Sequence, residues 1–168
     1  MRTIRLLLAG TLGLALIGGL NVAVTAQDDE PTLADVVAAT EANEAANFAA
    51  FLAKDPDAIM ATFTEDPIFE DRTFGDYLEG DSAVRGMEWA ASFMTDAEAS
   101  EVLDHFVSAD GSRAVRVFRW VGTNFNGAPF DLPLVSIHEY RDGKIAKESM
   151  YYADPDPYGQ LTSSPSAD

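Results

Sequence analysis

Residues suited to a protein interior recur at steps of three and four between positions 33 and 52, a spacing typical of one helix face. Asp35, Glu41 and Glu44 fall among the polar positions, which an amphipathic helix turns toward water. The pattern predicts a long helix that begins near residue 33 and ends at Asp55. Its inner positions are Leu33, Val36, Val37, Thr40, Ala45, Phe48, Phe51 and Leu52.

Two prolines divide the stretch that follows into short elements. Pro56 fits the first position of a second, short helix that Asp55 caps and that extends to Phe63. Pro67 then disfavours helical backbone at the residue before it and turns the chain into an extended form. The sequence therefore predicts a short strand at residues 68–71.

A third helix is predicted after a loop at residues 75–81. Asp81 and Ser82 are residue types that cap a helix N-terminus, and the apolar residues that follow have helical spacing. The apolar positions of this helix are Val84, Met87, Trp89, Ala90, Phe93 and Met94.

The chain changes character after Asp96, where β-branched and aromatic residues become dominant. Three dipeptides that suit tight turns with positive φ interrupt them, at Asp110-Gly111, Asn126-Gly127 and Asp142-Gly143. This pattern predicts four long strands, at residues 101–109, 113–124, 129–141 and 144–153. Three helices followed by an antiparallel meander make an α+β domain, with the earlier short strand at an edge of the sheet.

The first residues have the pattern of a secretory signal peptide. Arg2 and Arg5 precede an apolar run at residues 6–20, and small residues stand at the cleavage-site positions before Gln27. The alternative, a membrane anchor, is disfavoured because the run is short and contains four glycines. We therefore expect export to the periplasm or the exterior of a bacterial cell. The predicted organisation is a signal peptide at 1–26, a flexible lead-in at 27–32, one domain at 33–161 and a disordered tail at 162–168.

The chain is strongly acidic, with 28 Asp and Glu residues against 11 Lys and Arg residues. Loss of the signal peptide would remove Arg2 and Arg5, which leaves 9 basic residues and a net charge of −19. Such a charge repels nucleic-acid phosphates and anionic bilayers, so neither is an expected partner. The chain has no cysteine, and its two histidines lack metal-ligand spacing. The sequence thus predicts no disulfide, no metal site and no cofactor.

Three short motifs carry a family resemblance: Phe63 to Asp71, Asp142-Gly143-Lys144-Ile145, and Tyr151-Tyr152-Ala153-Asp154. Together with the order of the elements, they make the chain resemble the SnoaL-like branch of the NTF2-like superfamily, which includes ketosteroid isomerases and polyketide cyclases. The resemblance implies a cone, in which three N-terminal helices pack on a strongly curved antiparallel sheet of four long strands and a short edge strand. It also implies a pocket for a small apolar molecule, but it does not fix an activity.

Carried over residue by residue, the resemblance places Asp71 where the isomerases keep the carboxylate that moves a proton beside a carbonyl group. Two further groups of those enzymes are missing here. The first helix offers Asn47 or Phe48 in place of a tyrosine, and a later strand offers Ser136 in place of a carboxylic acid. The resemblance therefore does not extend to steroid isomerisation.

Strand alternation brings further polar groups into consideration. Ser136 and His138 share a face of the third long strand, and Glu148 and Tyr152 share a face of the last. If these faces line the cone, Asp71 serves as a general base and His138 as an acid or orienting donor. The expected pocket-lining residues are Phe48, Phe69, Trp89, Trp120, Ser136, Glu148, Met150 and Tyr152.

Each of these assignments has a structural alternative. Asp71 is then a solvated carboxylate or a partner of Arg72, and His138 is a half-buried strand residue. His105 is interpreted as a packing residue. Arg116 and Arg119 are interpreted as structural, paired across strands with Asp131 or Glu139.

Three functions stay open at this point. The domain is a secreted protein that holds a small apolar molecule, an enzyme of the isomerase, cyclase, dehydratase or hydrolase type that uses Asp71, or an interaction domain whose cone is filled. Apolar residues on both sheet faces also predict a homodimer through the outer face, which a monomeric mass in light scattering would refute.

Overall fold

The fold is described from a computed structural model for residues 30–92 and 99–165. The predicted signal peptide, the third-helix residues Phe93 and Met94, and the end of the predicted tail lie outside the described residues. Within these ranges, no helix combines the length and apolar character needed to cross a bilayer.

Helices and strands follow one another as an α+β domain with one six-stranded sheet. The sheet has the strand order β2-β1-β6-β5-β4-β3, in which β3 to β6 form the predicted antiparallel meander. The helices are α1 (Leu33–Ala53), α2 (Pro56–Ala61), α3 (Asp81–Ser92) and α4 (Pro157–Thr162). The strands are β1 (Phe63–Asp71), β2 (Asp76–Glu79), β3 (Glu101–Val107), β4 (Arg113–Thr123), β5 (Pro129–Arg141) and β6 (Lys144–Tyr152).

The turns of the meander are the predicted ones. Gly111, Gly127 and Gly143 have positive φ angles of 68°, 83° and 74°. Glycine adopts such angles without the steric penalty that a Cβ atom would bring. At Gly111 there is also no room for a side chain, because an added Cβ would lie 2.9 Å from Val36 Cγ1 of α1.

The first strand differs from the prediction in length and position. It begins at Phe63 rather than Ile68, and it lies inside the sheet, between β2 and β6, rather than at the edge. It runs parallel to β6, so the sheet is mixed rather than wholly antiparallel. The register shifts between Phe63 and Ile68, a stretch that contains Pro67, which has no N–H to give to a ladder. The edge strand on this side of the sheet is β2, in the stretch predicted as a loop.

A fourth helix, α4, occupies residues for which the sequence pattern predicted no helix, at the end of the predicted domain. Asp156 caps it by accepting a hydrogen bond from the N–H of Gly159 at 2.9 Å, and Pro157 fills the first helical position. Leu161 is buried against the main apolar cluster around Trp120. The helix is therefore part of the fold and covers one end of the sheet.

The buried face of α1 is more polar than its sequence pattern indicated. Thr40, Glu44, Asn47 and Ala50 are its buried residues, so Glu44 lies inside rather than on the predicted water-facing side. The structural reason is a set of buried partners on β4 and β5. This face carries three polar side chains into the inner end of the cone.

The outer face of the sheet has an apolar surface. Phe106 is 56% exposed and Tyr151 is 40% exposed. Phe106 pairs with Val115 and Val115 with Ile137, while Tyr151 pairs with Val135. The homodimer expected through this face stays a prediction.

Candidate functional site

A cavity of about 880 Å³, here called the main cavity, opens between the inner sheet face and helices α3 and α4. Its floor is closed by Trp120 and Met150, which are 1% and 6% exposed. Two tryptophans, three phenylalanines and two tyrosines line it, so aromatic rings make up a large part of the wall. These residues are Phe69, Phe74, Trp89, Trp120, Phe125, Tyr152 and Tyr158.

Asp71 ends β1 and lies on the wall of the main cavity, on the same side of the strand as Phe69. It is only 5% exposed. Its Oδ1 atom accepts hydrogen bonds from the backbone N–H groups of Thr73 at 2.9 Å and Phe74 at 3.0 Å. No hydrogen bond to Oδ2 occurs among the described residues. The neighbouring Arg72 binds Glu70 at 2.8 Å instead, so Asp71 is not its partner.

The pKa of Asp71 is raised above its ordinary value. Burial is the main cause, and the two backbone N–H donors oppose it. The negative charges of Asp76 and Glu148 raise the pKa further. Asp71 is thus a buried carboxyl group tuned toward holding a proton more tightly than a surface aspartate does.

A second group of polar side chains is buried at the inner end of the cone, and we call Glu44, Arg116, His138 and Glu148 the inner cluster. Glu44 forms ion pairs with both Arg116 and His138 Nδ1. His138 Nε2 lies 3.3 Å from Glu148 Oε1, outside hydrogen-bond geometry. Neighbouring hydroxyl groups complete the set: Ser136 donates to Glu148 at 2.7 Å, and Tyr140 donates to Glu44 at 2.8 Å.

The inner cluster holds two acids and two bases in their charged forms. Burial alone would raise the pKa of Glu44, but the hydrogen bond and charge of His138 and the charge of Arg116 lower it to about 2. Burial would lower the pKa of His138, but Glu148 and Glu44 outweigh it and raise that pKa to about 8. Burial would raise the pKa of Glu148, but the charge of His138, the hydroxyl group of Ser136 and the charge of Arg116 outweigh it and lower that pKa. Because arginine stays protonated in proteins, the four charges cancel near neutral pH.

The main cavity and the inner cluster are separate. A small cavity of about 20 Å³ lies beyond Trp120 and Met150, and Glu148 and Arg116 line it. This volume is about that needed for one water molecule. His138 is 0% exposed and lines neither cavity. The structure therefore does not bring Asp71 and His138 together in one pocket.

The other predicted site residues divide in the same way. Phe69, Trp89, Trp120, Met150 and Tyr152 line the main cavity. Glu148 lines only the small cavity, Ser136 is fully buried beside it, and Phe48 lines a groove between α1 and β3. Asn47, the other residue aligned with the isomerase tyrosine, accepts from Arg116 at 2.9 Å.

No three or more His, Asp or Glu side chains in the described ranges are arranged to hold a metal ion. In the inner cluster, the guanidinium group of Arg116 is a charge partner of Glu44.

A family model for the SnoaL-like domain matches residues 45–148, more than half of the 168-residue chain. The chain belongs to the SnoaL-like domain family. A comparison of this SnoaL-like domain with curated proteins gives no match.

Solved structures share the fold of this SnoaL-like domain. The epoxide hydrolase/cyclase-like enzyme SalBIII of pyran ring formation in the polyether salinomycin is 21% identical, with a TM-score of 0.61 over 70% of this chain and 92% of its own. A candidate polyketide cyclase from Xanthomonas campestris is 21% identical, with a TM-score of 0.59 over 76% and 99% of the two chains. Another from Pseudomonas putida is 25% identical, with a TM-score of 0.58 over 79% and 100%.

Glu44 is the residue of the SnoaL-like domain that sequence reasoning missed. Its neighbours Thr40 and Asn47 share its helical face, and polar residues at steps of four and three beside Phe51 are a detectable sign of a polar buried face. The cross-strand pairing of Arg119 with Asp131 was predicted and is present. Arg116 instead reaches across the core to α1.

Proposed function

We propose that this SnoaL-like domain binds a small, largely apolar molecule in the main cavity, with Asp71 as the polar group that orients it. The open cavity of about 880 Å³, with its aromatic wall and one buried carboxyl group, is the observation that supports this function. Small-molecule sites typically have roughly 300–1,000 Å³ and combine apolar walls with few convergent polar groups. An open cavity also argues against the alternative of an interaction domain with a filled cone.

Filling the main cavity is expected to abolish binding of the neutral apolar dye Nile red. Ala90 lies on α3, lines the cavity and is 7% exposed, so a tryptophan there would occupy the ligand volume. We expect Ala90→Trp to lose the dye fluorescence that the parent protein gives. Fluorescence titration measures the difference, and thermal melts show whether each variant is folded.

Ala46→Trp is the matched control, because Ala46 is exposed on α1 and lies away from the cavity. It should bind Nile red like the parent protein. Equal binding by both folded variants would place the dye elsewhere and contradict the proposed site. If Ala90→Trp does not fold, the dye-dependent shifts of tryptophan resonances in the parent protein test the same point, since Trp89 and Trp120 line the cavity.

A second candidate function is proton transfer to or from the bound molecule, with Asp71 as the general base. The specific observation in its favour is that Asp71 is buried, has a raised pKa and keeps Oδ2 free of donors among the described residues. A general base works best when its pKa approaches the working pH. The relatives include an enzyme of cyclase-like type, but His138 does not reach this cavity.

Asp71→Asn is expected to remove this activity without closing the cavity. The probe is 2-tetralone in deuterated water, whose acidic C–H groups exchange under base catalysis and whose exchange is followed by NMR. We expect the protein-dependent rate to fall at least about tenfold, because an amide cannot accept the proton. Asp131→Asn, an exposed surface control, should leave the rate unchanged. A rate that survives in Asp71→Asn would remove Asp71 as the base.

A further inference from the structure

Asp71 is buried without a basic side chain as partner among the described residues. Its recorded donors are the N–H groups of Thr73 and Phe74. Arg72, which follows Asp71 in the chain, and Lys147 on β6 both bind Glu70 on the opposite face of β1. Buried aspartates are seldom left without a charge partner, because removing a charge from water is costly.

The surroundings of Asp71 add negative charge. Asp76 also lines the main cavity, and the charges of Asp76 and Glu148 both act on Asp71. Arg85 is the basic residue among the described residues that line this cavity. It is exposed, and its Nη2 atom donates to Ser82 on its own helix at 3.1 Å. The Asp71 side of the cavity therefore favours a positive group.

Aromatic rings surround the same position. Phe74, whose N–H binds Asp71, has its ring centroid 5.4 Å from that of Tyr152 and 5.9 Å from that of Tyr158. All three rings line the main cavity. The negative faces of such rings attract organic cations, and the attraction is strongest where water is excluded.

We infer that the ligand of the main cavity carries a tertiary or quaternary ammonium group, seated between the Asp71 carboxylate and the rings of Phe74, Tyr152 and Tyr158. The inference rests on the proposed binding function and names the chemical class of its ligand. Two backbone N–H groups already bind Oδ1, which leaves Oδ2 as the free acceptor. A guanidinium group with five N–H donors, or a primary ammonium with three, would leave donors unsatisfied there.

This ligand class also decides between the two uses of Asp71. A cation beside the carboxylate stabilises its ionised form and lowers its pKa, which makes it a weaker base. Binding of an ammonium ligand thus supports the binding function over proton transfer.

Two probes of nearly equal shape test the inference. Choline carries a trimethylammonium group, and 3,3-dimethylbutan-1-ol has an uncharged tert-butyl group in the same place. Titrations are followed by the NMR signals of the two tryptophan indole groups, since Trp89 and Trp120 line the cavity. We expect choline to bind at least about tenfold more tightly than the alcohol. Asp71→Asn should lower the affinity for choline at least about tenfold and change the affinity for the alcohol by no more than about twofold. Asp131→Asn should change neither affinity.

Each outcome has a distinct meaning. An alcohol that binds as tightly as choline, in a protein that binds Nile red, overturns the inference and leaves the proposed function standing. A parent protein that binds neither Nile red nor either probe overturns the proposed function itself. An Asp71→Asn variant that weakens both probes equally shows a general packing effect and also refutes the ammonium site. The comparison of the two probes on the parent protein needs no variant.

Discussion

Replacing Glu44 with glutamine is expected to lower the free energy of unfolding by about 3–5 kcal/mol at pH 6. Glu44 is the acid that contacts both Arg116 and His138, and all three side chains are buried. Without its charge, Arg116 and a protonated His138 stay inside with Glu148 as the remaining acid. Chemical denaturation with urea, fitted to two states, measures the change.

The surface pair Arg119–Asp131 supplies the control, since both side chains are nearly half exposed. Asp131→Asn should cost less than about 1 kcal/mol, as exposed ion pairs usually do. A similar loss in both variants would mean that the burial of Glu44 carries no special energetic weight.

The pH dependence tests whether a histidine is coupled to Glu44; the buried His138 is the nearer one, and His105 Nε2 also lies 3.7 Å from Glu44 Oε2. Its pKa is raised from 6.5 to about 8 in the fold, so its contribution is full below pH 6.5 and is lost as the pH rises through 8. The pKa of Glu44 is lowered from 4.5 to about 2, so its contribution is full above pH 4.5 and is lost as the pH falls through 2. We therefore expect the Glu44→Gln deficit to shrink between pH 6 and pH 9. A deficit that does not change over this range would contradict the coupling.

Leu161→Ala is expected to destabilise the domain by about 2–5 kcal/mol and to weaken Nile red binding. Leu161 is 4% exposed, packs in the cluster around Trp120 and lines the main cavity. Its truncation loosens α4, which also carries Tyr158 into the cavity wall. Urea denaturation and dye titration measure the two effects.

The same substitution at Leu33 is the matched control, because Leu33 is 61% exposed at the start of α1. It should change the stability by no more than about 0.5 kcal/mol. If Leu161→Ala were as mild as Leu33→Ala, α4 would contribute little to the fold or to the cavity.

The sequence predicted those parts of the fold that depend on local chemistry. The helix from Leu33 and the strand Pro129–Arg141 were predicted within a few residues, because caps, prolines and turn dipeptides act on their immediate neighbours. The parallel pairing of β1 with β6 was missed because it joins residues about eighty positions apart. The helix α4 was within reach, since Asp156-Pro157 repeats the Asp55-Pro56 arrangement that correctly predicted α2.

The candidate site shows the same division. Strand alternation placed Asp71 on the face of Phe69, where it lines the main cavity. Alternation also put His138 on one face of β5 with Ser136, but it left open whether that face lines the cone and gave no depth along it. His138 lies beyond the floor that Trp120 and Met150 form. Glu44 was predicted to face solvent because the polar positions of an amphipathic helix usually do. Its burial depends on His138 and Arg116, which lie 94 and 72 positions away.

The neutrality of the inner cluster restricts the mutational paths open to this family member. If an apolar residue replaces one member of the inner cluster, one charge in the interior is left without a partner. Replacing all four members together would remove every charge at once. Each single step is therefore expected to destabilise the fold, while the end state is not. The inner cluster is therefore easier to keep than to remove one residue at a time, and this holds independently of the ligand in the main cavity.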